Sequence, residues 1–167
     1  MSLAPLLSSA KQDWRTPRDL FLAIERLWPT PFDLDAAADA DNHLCVRWLG
    51  PGSPEGEDAL VVPWRANRVW LNPPYGRALP QFVGAACSEV RQGHAGEVWL
   101  LVPARTDTRW WQQAIRQASH VWFLAGRVKF ETATGASAQA PFPSAVIRLV
   151  RDRWTVRPYD VTWSWKP

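Results

Sequence analysis

The residues best suited to chemistry are Asn72, Pro73, Pro74 and Tyr75, which directly follow an apolar run at residues 69–71. A short apolar run is typical of a buried strand, and two consecutive prolines cannot continue a central sheet because neither has a backbone N–H. The sequence therefore predicts a strand that ends in a stiff loop. That loop carries an amide side chain, free carbonyl groups and an aromatic ring at the sheet edge where ligands of open α/β sheets bind.

Those groups suit methylation of an exocyclic amine on a nucleobase. Such an amine has two N–H donors, and its lone pair is delocalised into the ring. The Asn72 side-chain oxygen and the Pro73 carbonyl are acceptors that would take both hydrogens and push the nitrogen towards tetrahedral geometry. Tyr75 would stack on the face of a base extruded from a duplex. The alternative is a tight turn with no such role, because Asn, Pro and Gly are common in turns.

A second candidate segment is acidic and would face a nucleoside. Asp33 and Asp35 end a short predicted strand at residues 32–35, and Ala36 and Ala37 follow. A carboxylate there can bind a ribose hydroxyl or an ammonium group, and small residues let a ligand approach the backbone. The glycine-rich loop typical of dinucleotide sites is absent, so two exposed strand-end acids are an equal alternative. The carboxylate of Asp58, after a turn-rich loop at 50–57, would reach an adenine amino group.

The remaining elements alternate between helices and strands, which predicts an α/β fold. Thr16 is a good N-cap and Pro17 a good first residue for a helix over about 17–28, whose free N–H groups would hold a ligand carboxylate. Further helices are predicted over 79–90, ending near Gly93, and over 108–118, capped by Thr106 or Asp107. Strands are predicted over 97–102 (parallel and buried), 120–124 and 144–150, with a loop over 132–144 and a hairpin partner within 154–163.

Composition places the chain among single-domain globular proteins. Its 167 residues are 47% hydrophobic and 21% charged, and we expect a flexible N-terminus over 1–12 and one domain over 13–167 without a large separate recognition domain. No signal peptide or membrane-length apolar run is evident. Cys45 and Cys87 have no metal-ligand spacing, nor do the three histidines, so we expect reduced cysteines, a cytoplasmic location and no metal.

The charge distribution favours a nucleic-acid partner. Residues 1–104 hold nine Lys/Arg against twelve Asp/Glu, whereas residues 105–167 hold ten against four. An acidic first half and an Arg-rich second half fit a cofactor face and a nucleic-acid face. The plainer alternative is a solvated Arg-rich surface. Among the twelve tryptophans, Trp70, Trp99 and Trp122 lie in apolar runs, whereas Trp14, Trp110 and Trp111 lie beside polar residues and would line a groove or stack on bases.

In their order along residues 13–150, these segments resemble the phage-type DNA N6-adenine methyltransferases, small relatives of the Dam-like enzymes. The matching segments are Trp14-Arg15-Thr16-Pro17, Phe32-Asp33-Leu34-Asp35-Ala36-Ala37, Asp58-Ala59-Leu60, Asn72-Pro73-Pro74-Tyr75, residues 101–108, residues 126–130 and Pro143-Ser144. Asn72 stands where relatives often carry Asp, and alanines stand where the cofactor motif usually has glycines.

The resemblance implies a Rossmann-like fold dependent on S-adenosylmethionine, with a mostly parallel central sheet and helices on both faces. It implies double-stranded DNA as substrate, a flipped adenine as the target and no obligatory protein partner. The implied catalytic residues are Asn72, Pro73, Pro74 and Tyr75. The implied cofactor residues are Trp14, Thr16, Pro17, Asp33, Asp35, Ala36, Ala37, Asp58 and Asn72. The implied nucleic-acid contacts are Arg105, Thr106, Arg127 and Lys129.

Two other functions stay open at this point. The same acceptor loop would serve an N-methyltransferase acting on RNA, on the cytosine amino group or on a protein glutamine. A catalytically degenerate DNA-binding module is the alternative of another class, favoured by the alanines in the cofactor segment and disfavoured by the complete motif at Asn72–Tyr75.

Overall fold

The computed structural model describes residues 14–132, 137–151 and 160–163, the last of these as backbone only. The helices are α1 (Arg18–Glu25), α2 (Leu79–Gln92) and α3 (Arg109–Gln117). The strands are β1 (Leu34–Asp35), β2 (Ala66–Leu71), β3 (Ala95–Pro103), β4 (Ala118–Leu124), β5 (Lys129–Glu131), β6 (Ser137–Gln139), β7 (Ser144–Val150) and β8 (Asp160–Trp163). None of the helices in the described part is long and apolar enough to cross a membrane.

The six-stranded sheet has the order β1-β2-β3-β7-β4-β8, and β5 pairs with β6 in a separate two-stranded ribbon. Strands β1, β2 and β3 run parallel to one another, as do β4 and β8. Strand β7 runs antiparallel to both of its neighbours, β3 and β4. The α/β class is therefore confirmed, but the sheet is mixed and a mostly parallel sheet is not confirmed.

Helices pack on both faces of the sheet. On one face Phe21 of α1 meets Trp70 of β2 edge-on, with the ring centroids 5.4 Å apart. On the other face Trp111 of α3 stacks on Phe123 of β4 at 6.1 Å. Trp110 and Trp111 are both buried. The expectation that they line a groove is wrong, because both lie on the side of this amphipathic helix that faces the core.

The strand before the acceptor loop forms as predicted. Val69, Trp70 and Leu71 are fully buried in β2, between β1 and β3. In the parallel register Asp35 of β1 pairs with Trp70, and the Ala36 N–H donates to the Trp70 carbonyl at 2.9 Å. The carboxyl ends of β1 and β2 are thus neighbours, which brings Asp35 close to Asn72.

Helix α1 begins one residue later than predicted, and Thr16 does not cap it. Its N-cap is Pro17, with no side-chain capping bond. Leu20, Phe21 and Ile24 form its buried side. Its far end is tied to β2, because Arg68 Nη1 donates to the Glu25 carbonyl at 3.4 Å.

The buried guanidinium of Arg68 is compensated within the sheet. Its Nε lies 3.2 Å from Glu97 Oε1, and its carbon lies 3.9 Å from the centroid of the Phe32 ring. Burial lowers the pKa of Arg68, and the Glu97 carboxylate opposes that shift. This ion pair joins β2, the strand that leads to Asn72, to its neighbour β3.

The other helix ends follow local rules. Gly93 ends α2 with φ 78°, as predicted, because glycine adopts the left-handed conformation without strain. Thr108, and not Thr106 or Asp107, caps α3: its hydroxyl accepts from the Trp111 N–H at 3.4 Å. The capping prediction was therefore wrong by one or two residues.

Two predictions for the C-terminal third are also wrong. The expected loop over 132–144 contains β6 in its described part, paired antiparallel with β5. The segment expected to form a hairpin with β7 contains β8, and β8 pairs in parallel with β4 and not with β7. Residues 1–13, 133–136, 152–159 and 164–167 lie outside the described residues, and the prediction for the N-terminus over 1–12 lies there too. Cys45 and Cys87 are buried and free of disulfides, and burial raises the pKa of both thiols.

Candidate active site

A cavity of about 260 Å³ lies beyond the carboxyl ends of β1 and β2. It is lined by residues of the β1 end, of the loops that follow it and of the Asn72 loop. The lining residues are Trp14, Thr16, Asp35, Ala36, Ala37, Ala38, Asp39, Asn42, Leu44, Leu49, Gly50, Pro51, Glu57, Asp58, Ala59, Trp70, Asn72, Pro73, Pro74 and Phe82. Seven of the nine residues expected to hold a cofactor line it, whereas Asp33 and Pro17 do not. Pro73 and Pro74, two of the expected catalytic residues, line it as well.

Asp35 is the buried acid of the cavity. Its side chain accepts from the Leu44 N–H at 3.1 Å and, more weakly, from the Ala37 N–H at 3.4 Å. Burial raises the pKa of Asp35 to about 6, and the two N–H donors oppose that rise. The carboxyl is therefore poised to ionise near neutral pH, and a cation bound beside it would favour the ionised form.

The cavity is negative. Four of its lining residues are carboxylic acids (Asp35, Asp39, Glu57 and Asp58), and none of the described lining residues is Lys or Arg. The short side chains of the alanines at 36–38 take up little of the cavity, so a ligand can approach the backbone there. These features suit a ligand that carries positive charge on a nucleoside.

Sequence reasoning missed several cavity residues, among them Asp39, Asn42 and Gly50. Gly50 has φ 140°, and a Cβ there would lie 1.9 Å from the Ala38 carbonyl oxygen. Only glycine lets the loop close against the Ala38 backbone in this way. The turn-rich composition of residues 50–57 signalled a loop, but nothing local signalled that it folds back onto the end of β1.

In the side-chain amide of Asn72, the nitrogen is hydrogen-bonded and the oxygen is not. Its Nδ2 donates to the Trp14 carbonyl at 2.6 Å and to Thr16 Oγ1 at 2.9 Å. Its Oδ1 is buried and has no hydrogen-bond partner among the described residues. A buried acceptor without a donor costs about 1–3 kcal/mol, so this oxygen is a strong candidate for contact with a donor on a ligand.

The segment that holds Asn72 is itself fixed by the β5–β6 ribbon. Arg15 forms an antiparallel bridge with Glu131 of β5, with both N–H···O bonds at 3.0 Å. The Trp14 ring packs on Phe130 of β5, with the centroids 5.2 Å apart. The residues just before α1 are thus ordered between the ribbon and the Asn72 loop.

Tyr75 lies in aromatic packing and not on the cavity wall. Its ring is 3% exposed and meets Phe130 and Phe142 edge-on, with centroids 5.9 and 5.5 Å away. Its hydroxyl donates to the Leu101 carbonyl at 3.0 Å. Stacking of Tyr75 on a base therefore requires Phe142 or Phe130 to move first.

Two other expected cofactor residues lie away from the cavity wall. Both oxygens of Asp33 are engaged with β2, where they accept from the N–H groups of Asn67 and Arg68 at 2.9 Å each. Asp33 therefore acts here as a clamp on the start of β2. Pro17 is buried as the N-cap of α1, and it is not among the lining residues.

Exposed basic residues lie on segments that neighbour the Asn72 loop in sequence or in the fold. Arg105 and Thr106 are exposed just beyond the end of β3, which is the neighbour of β2. Lys129 is exposed on β5, next to the Phe130 ring that packs on Tyr75, and Arg127 is half-buried. Sequence reasoning missed Arg77, which is exposed two residues after Tyr75. Within the described residues, no group of three or more His, Cys, Asp and Glu is arranged to hold a metal ion.

Comparison with known proteins identifies the family of the chain. The family model described as DNA N-6-adenine-methyltransferase (Dam) matches residues 4–162. A DNA N-6-adenine-methyltransferase of Escherichia phage T1 is 32% identical over 112 residues, which are 66% of this chain and 44% of that protein. Another, of Haemophilus phage HP1, is 28% identical over 123 residues, which are 73% of this chain and 68% of that protein. This chain thus spans less than half the length of the phage T1 relative. Because the family model covers nearly the whole sequence, the chain belongs to the DNA N-6-adenine-methyltransferase (Dam) family.

Proposed function

We propose that this chain transfers a methyl group from S-adenosylmethionine to the exocyclic N6 of an adenine in DNA. The observation that carries the proposal is the Asn72 amide, whose Oδ1 is buried without a donor while its Nδ2 is fully engaged. An adenine amino group supplies the missing donor. The cytosine amino group has the same donor chemistry, and family membership favours adenine over it.

The charge of the cavity wall supports S-adenosylmethionine as the methyl donor. S-adenosylmethionine would supply an electrophilic methyl on a sulfonium, and its net positive charge suits a wall with four carboxylic acids and no described Lys or Arg. Asp35 and Asp58, which both line the cavity, would bind an ammonium, a ribose hydroxyl or an adenine amino group of this ligand. The parallel run of β1, β2 and β3 supports a Rossmann-like arrangement, in which such ligands lie beyond the carboxyl ends of the strands.

The chain would act on the amine by alignment. Asn72 Oδ1 and the Pro73 carbonyl accept the two amine hydrogens, which draws the nitrogen lone pair out of the ring and towards the methyl carbon. Proline at positions 73 and 74 keeps these acceptors fixed before the base arrives, so little reorganisation is needed in the transition state. As the nitrogen–carbon bond forms, the carbon–sulfur bond of the sulfonium would break, and the sulfur would leave as a neutral thioether. The surplus proton on nitrogen would then leave to solvent, so none of these residues needs to titrate during the reaction.

The target base would enter on the side of the aromatic cluster formed by Trp14, Tyr75, Phe130 and Phe142. An adenine in a duplex is stacked and paired, so it must be extruded before its amine reaches Asn72. Displacement of Phe142, which is half-buried, would uncover a face of Tyr75 for stacking. The adenine would replace the Phe142 ring, so Tyr75 would have an aromatic neighbour both with and without DNA.

The DNA backbone would lie across the exposed cations around this entrance. Arg77, Arg105 and Lys129 are exposed on three different segments that flank the Asn72 loop. Contacts of Lys and Arg with phosphates release counterions, so binding should weaken steeply as salt rises. We propose double-stranded DNA as the substrate on this basis, with Arg127 and Thr106 as further contacts.

The direct test is to incubate DNA with the protein and isotopically labelled S-adenosylmethionine, digest the DNA and identify modified nucleosides by mass spectrometry. The proposal expects labelled N6-methyladenine in duplex DNA. Matched RNA, cytosine-rich DNA and protein substrates serve as competitors. Label on RNA, on cytosine or on protein glutamine alone would refute the DNA adenine assignment. Calorimetric titration that finds no binding of S-adenosylmethionine, together with retained DNA binding, would identify a non-catalytic DNA-binding module.

A further inference from the structure

The hydroxyl of Thr16 is buried next to the Asn72 loop and is not used at the start of α1. Thr16 is 5% exposed, and α1 has no side-chain capping bond. Its Oγ1 instead accepts from Asn72 Nδ2 at 2.9 Å, across 56 residues of chain. A buried hydroxyl that reaches a residue so distant in sequence ties the α1 start to the acceptor loop.

The contacts on Nδ2 decide which way the Asn72 amide faces. The oxygen and nitrogen of a primary amide have almost the same shape, so only hydrogen-bond partners distinguish the two orientations. The Trp14 carbonyl can only accept, and it lies 2.6 Å from Nδ2. A flipped amide would place oxygen against that carbonyl, and it would offer N–H donors to an amine that is itself a donor.

We propose that Thr16 is a positioning residue for methyl transfer: together with the Trp14 carbonyl it locks the Asn72 amide so that Oδ1 faces the target amine. This inference rests on the proposed function, and it gives Thr16 a role towards Asn72 and not towards the cofactor. The Trp14 carbonyl selects the orientation, and Thr16 occupies the second hydrogen of Nδ2. With both hydrogens held, the amide plane cannot rotate away from the amine.

The test compares Thr16→Val, which keeps the shape and removes the acceptor, with Thr16→Ser, which keeps the acceptor. Single-turnover methylation at saturating S-adenosylmethionine should slow by roughly 10- to 100-fold in Thr16→Val, because misplacing a reacting group costs rates of that order. Thr16→Ser should stay within about threefold of the unmodified protein. The dissociation constant for S-adenosylmethionine, measured by calorimetry, should change by less than about threefold in both variants.

Three outcomes would overturn the inference. One is a weakened affinity of Thr16→Val for S-adenosylmethionine with an unchanged single-turnover rate, which would make Thr16 a cofactor contact. The second is an equal loss of rate in both variants, because Thr16→Ser keeps the acceptor and should therefore keep the rate. The third is an unchanged rate in Thr16→Val. Thermal unfolding of each variant shows whether it is folded under the assay conditions.

A separate readout keeps this inference apart from the proposed function. In the unmodified protein labelled with nitrogen-15, both Asn72 side-chain amide protons should be protected from exchange with water. Thr16→Val should leave one protected and expose the other, whereas Thr16→Ser should protect both. This result is expected whether or not DNA is methylated, so failure of methylation refutes the proposed function alone. Unprotected protons in the unmodified protein would refute the role of Thr16.

Discussion

Replacement of Asn72 by aspartate tests the amide geometry most sharply, because the two side chains have the same shape and differ in one donor group and, when the carboxyl is ionised, in charge. Nδ2 lies 2.6 Å from the Trp14 carbonyl and donates to it. A carboxylate oxygen in that position would face the carbonyl, acceptor against acceptor. The hydrogen bond is lost, and two partly buried acceptors repel each other. A buried polar group left unpaired costs about 1–3 kcal/mol, which predicts a methylation rate about 5- to 150-fold lower at pH 8.

The same geometry predicts that the Asn72→Asp variant recovers activity in mild acid. A protonated carboxyl group donates to the Trp14 carbonyl and keeps its other oxygen free, as the amide does. The nearby carbonyl raises the pKa of the introduced carboxyl, because it hydrogen-bonds the neutral form alone. The rate of the variant relative to the unmodified protein should therefore rise as pH falls.

The assay is single-turnover methylation of DNA between about pH 5.5 and 8.5, with Asn72→Ala as the control that has neither donor nor acceptor. Relative activity of the alanine variant should not depend on pH. Aspartate that equals asparagine at pH 8, or that shows the flat profile of alanine, would refute the geometric reasoning.

Three further predictions concern the cavity and the aromatic cluster. Because the pKa of Asp35 is raised from 3.8 to about 6, its burial as an anion opposes folding, and the free energy of unfolding should fall by up to about 3 kcal/mol as pH rises from about 4 through 6. Affinity for S-adenosylmethionine should rise over the same pH range. Asp35→Asn should flatten both pH dependences, measured by chemical unfolding and calorimetry, and an unchanged slope in this variant would contradict the prediction. Gly50→Ala would place a Cβ 1.9 Å from the Ala38 carbonyl oxygen and should lower stability by about 2 kcal/mol or more and weaken cofactor binding. The control is Gly84→Ala in α2, where a Cβ would meet only Gln113 Nε2 at 4.0 Å, and it should be neutral or stabilising. Equal effects of the two substitutions would refute the packing argument. Phe142→Ala removes the ring 5.5 Å from Tyr75 and should lower the apparent KM for DNA, because no ring has to be displaced; a raised KM would show that Phe142 itself holds the base.

Local sequence patterns were sufficient for the elements that carry the site. Three apolar residues followed by Asn72 and two prolines predicted a buried strand with a stiff end, and β2 ends there. The helix that precedes Gly93 was also predicted, because apolar periodicity and a glycine stop are both local signals. The position of Asp35 beside Asn72 followed from one rule, that parallel strands end at the same edge.

Contacts between residues distant in sequence could not be predicted from local sequence patterns. Thr16 has the sequence of a helix cap, but its hydroxyl contacts Asn72, and only the packing of α1 against β2 determines that. Tyr75 has the sequence of an exposed loop aromatic, but Phe130 and Phe142 cover it from segments more than fifty residues away. The parallel pairing of β8 with β4 likewise depends on the route of the chain through space, which residue types alone do not encode.

The proposed methyl transfer depends most on the Asn72 oxygen as an acceptor for the adenine amine, and one paired measurement tests this role directly. Asn72→Ala and the unmodified protein are compared for single-turnover transfer of labelled methyl to DNA and for affinity towards S-adenosylmethionine. We predict a loss of transfer of about 100- to 1000-fold, the range for removal of a preorganised hydrogen-bonding group, with affinity for S-adenosylmethionine nearly unchanged. Transfer at a near-normal rate in the alanine variant would contradict the assigned chemistry.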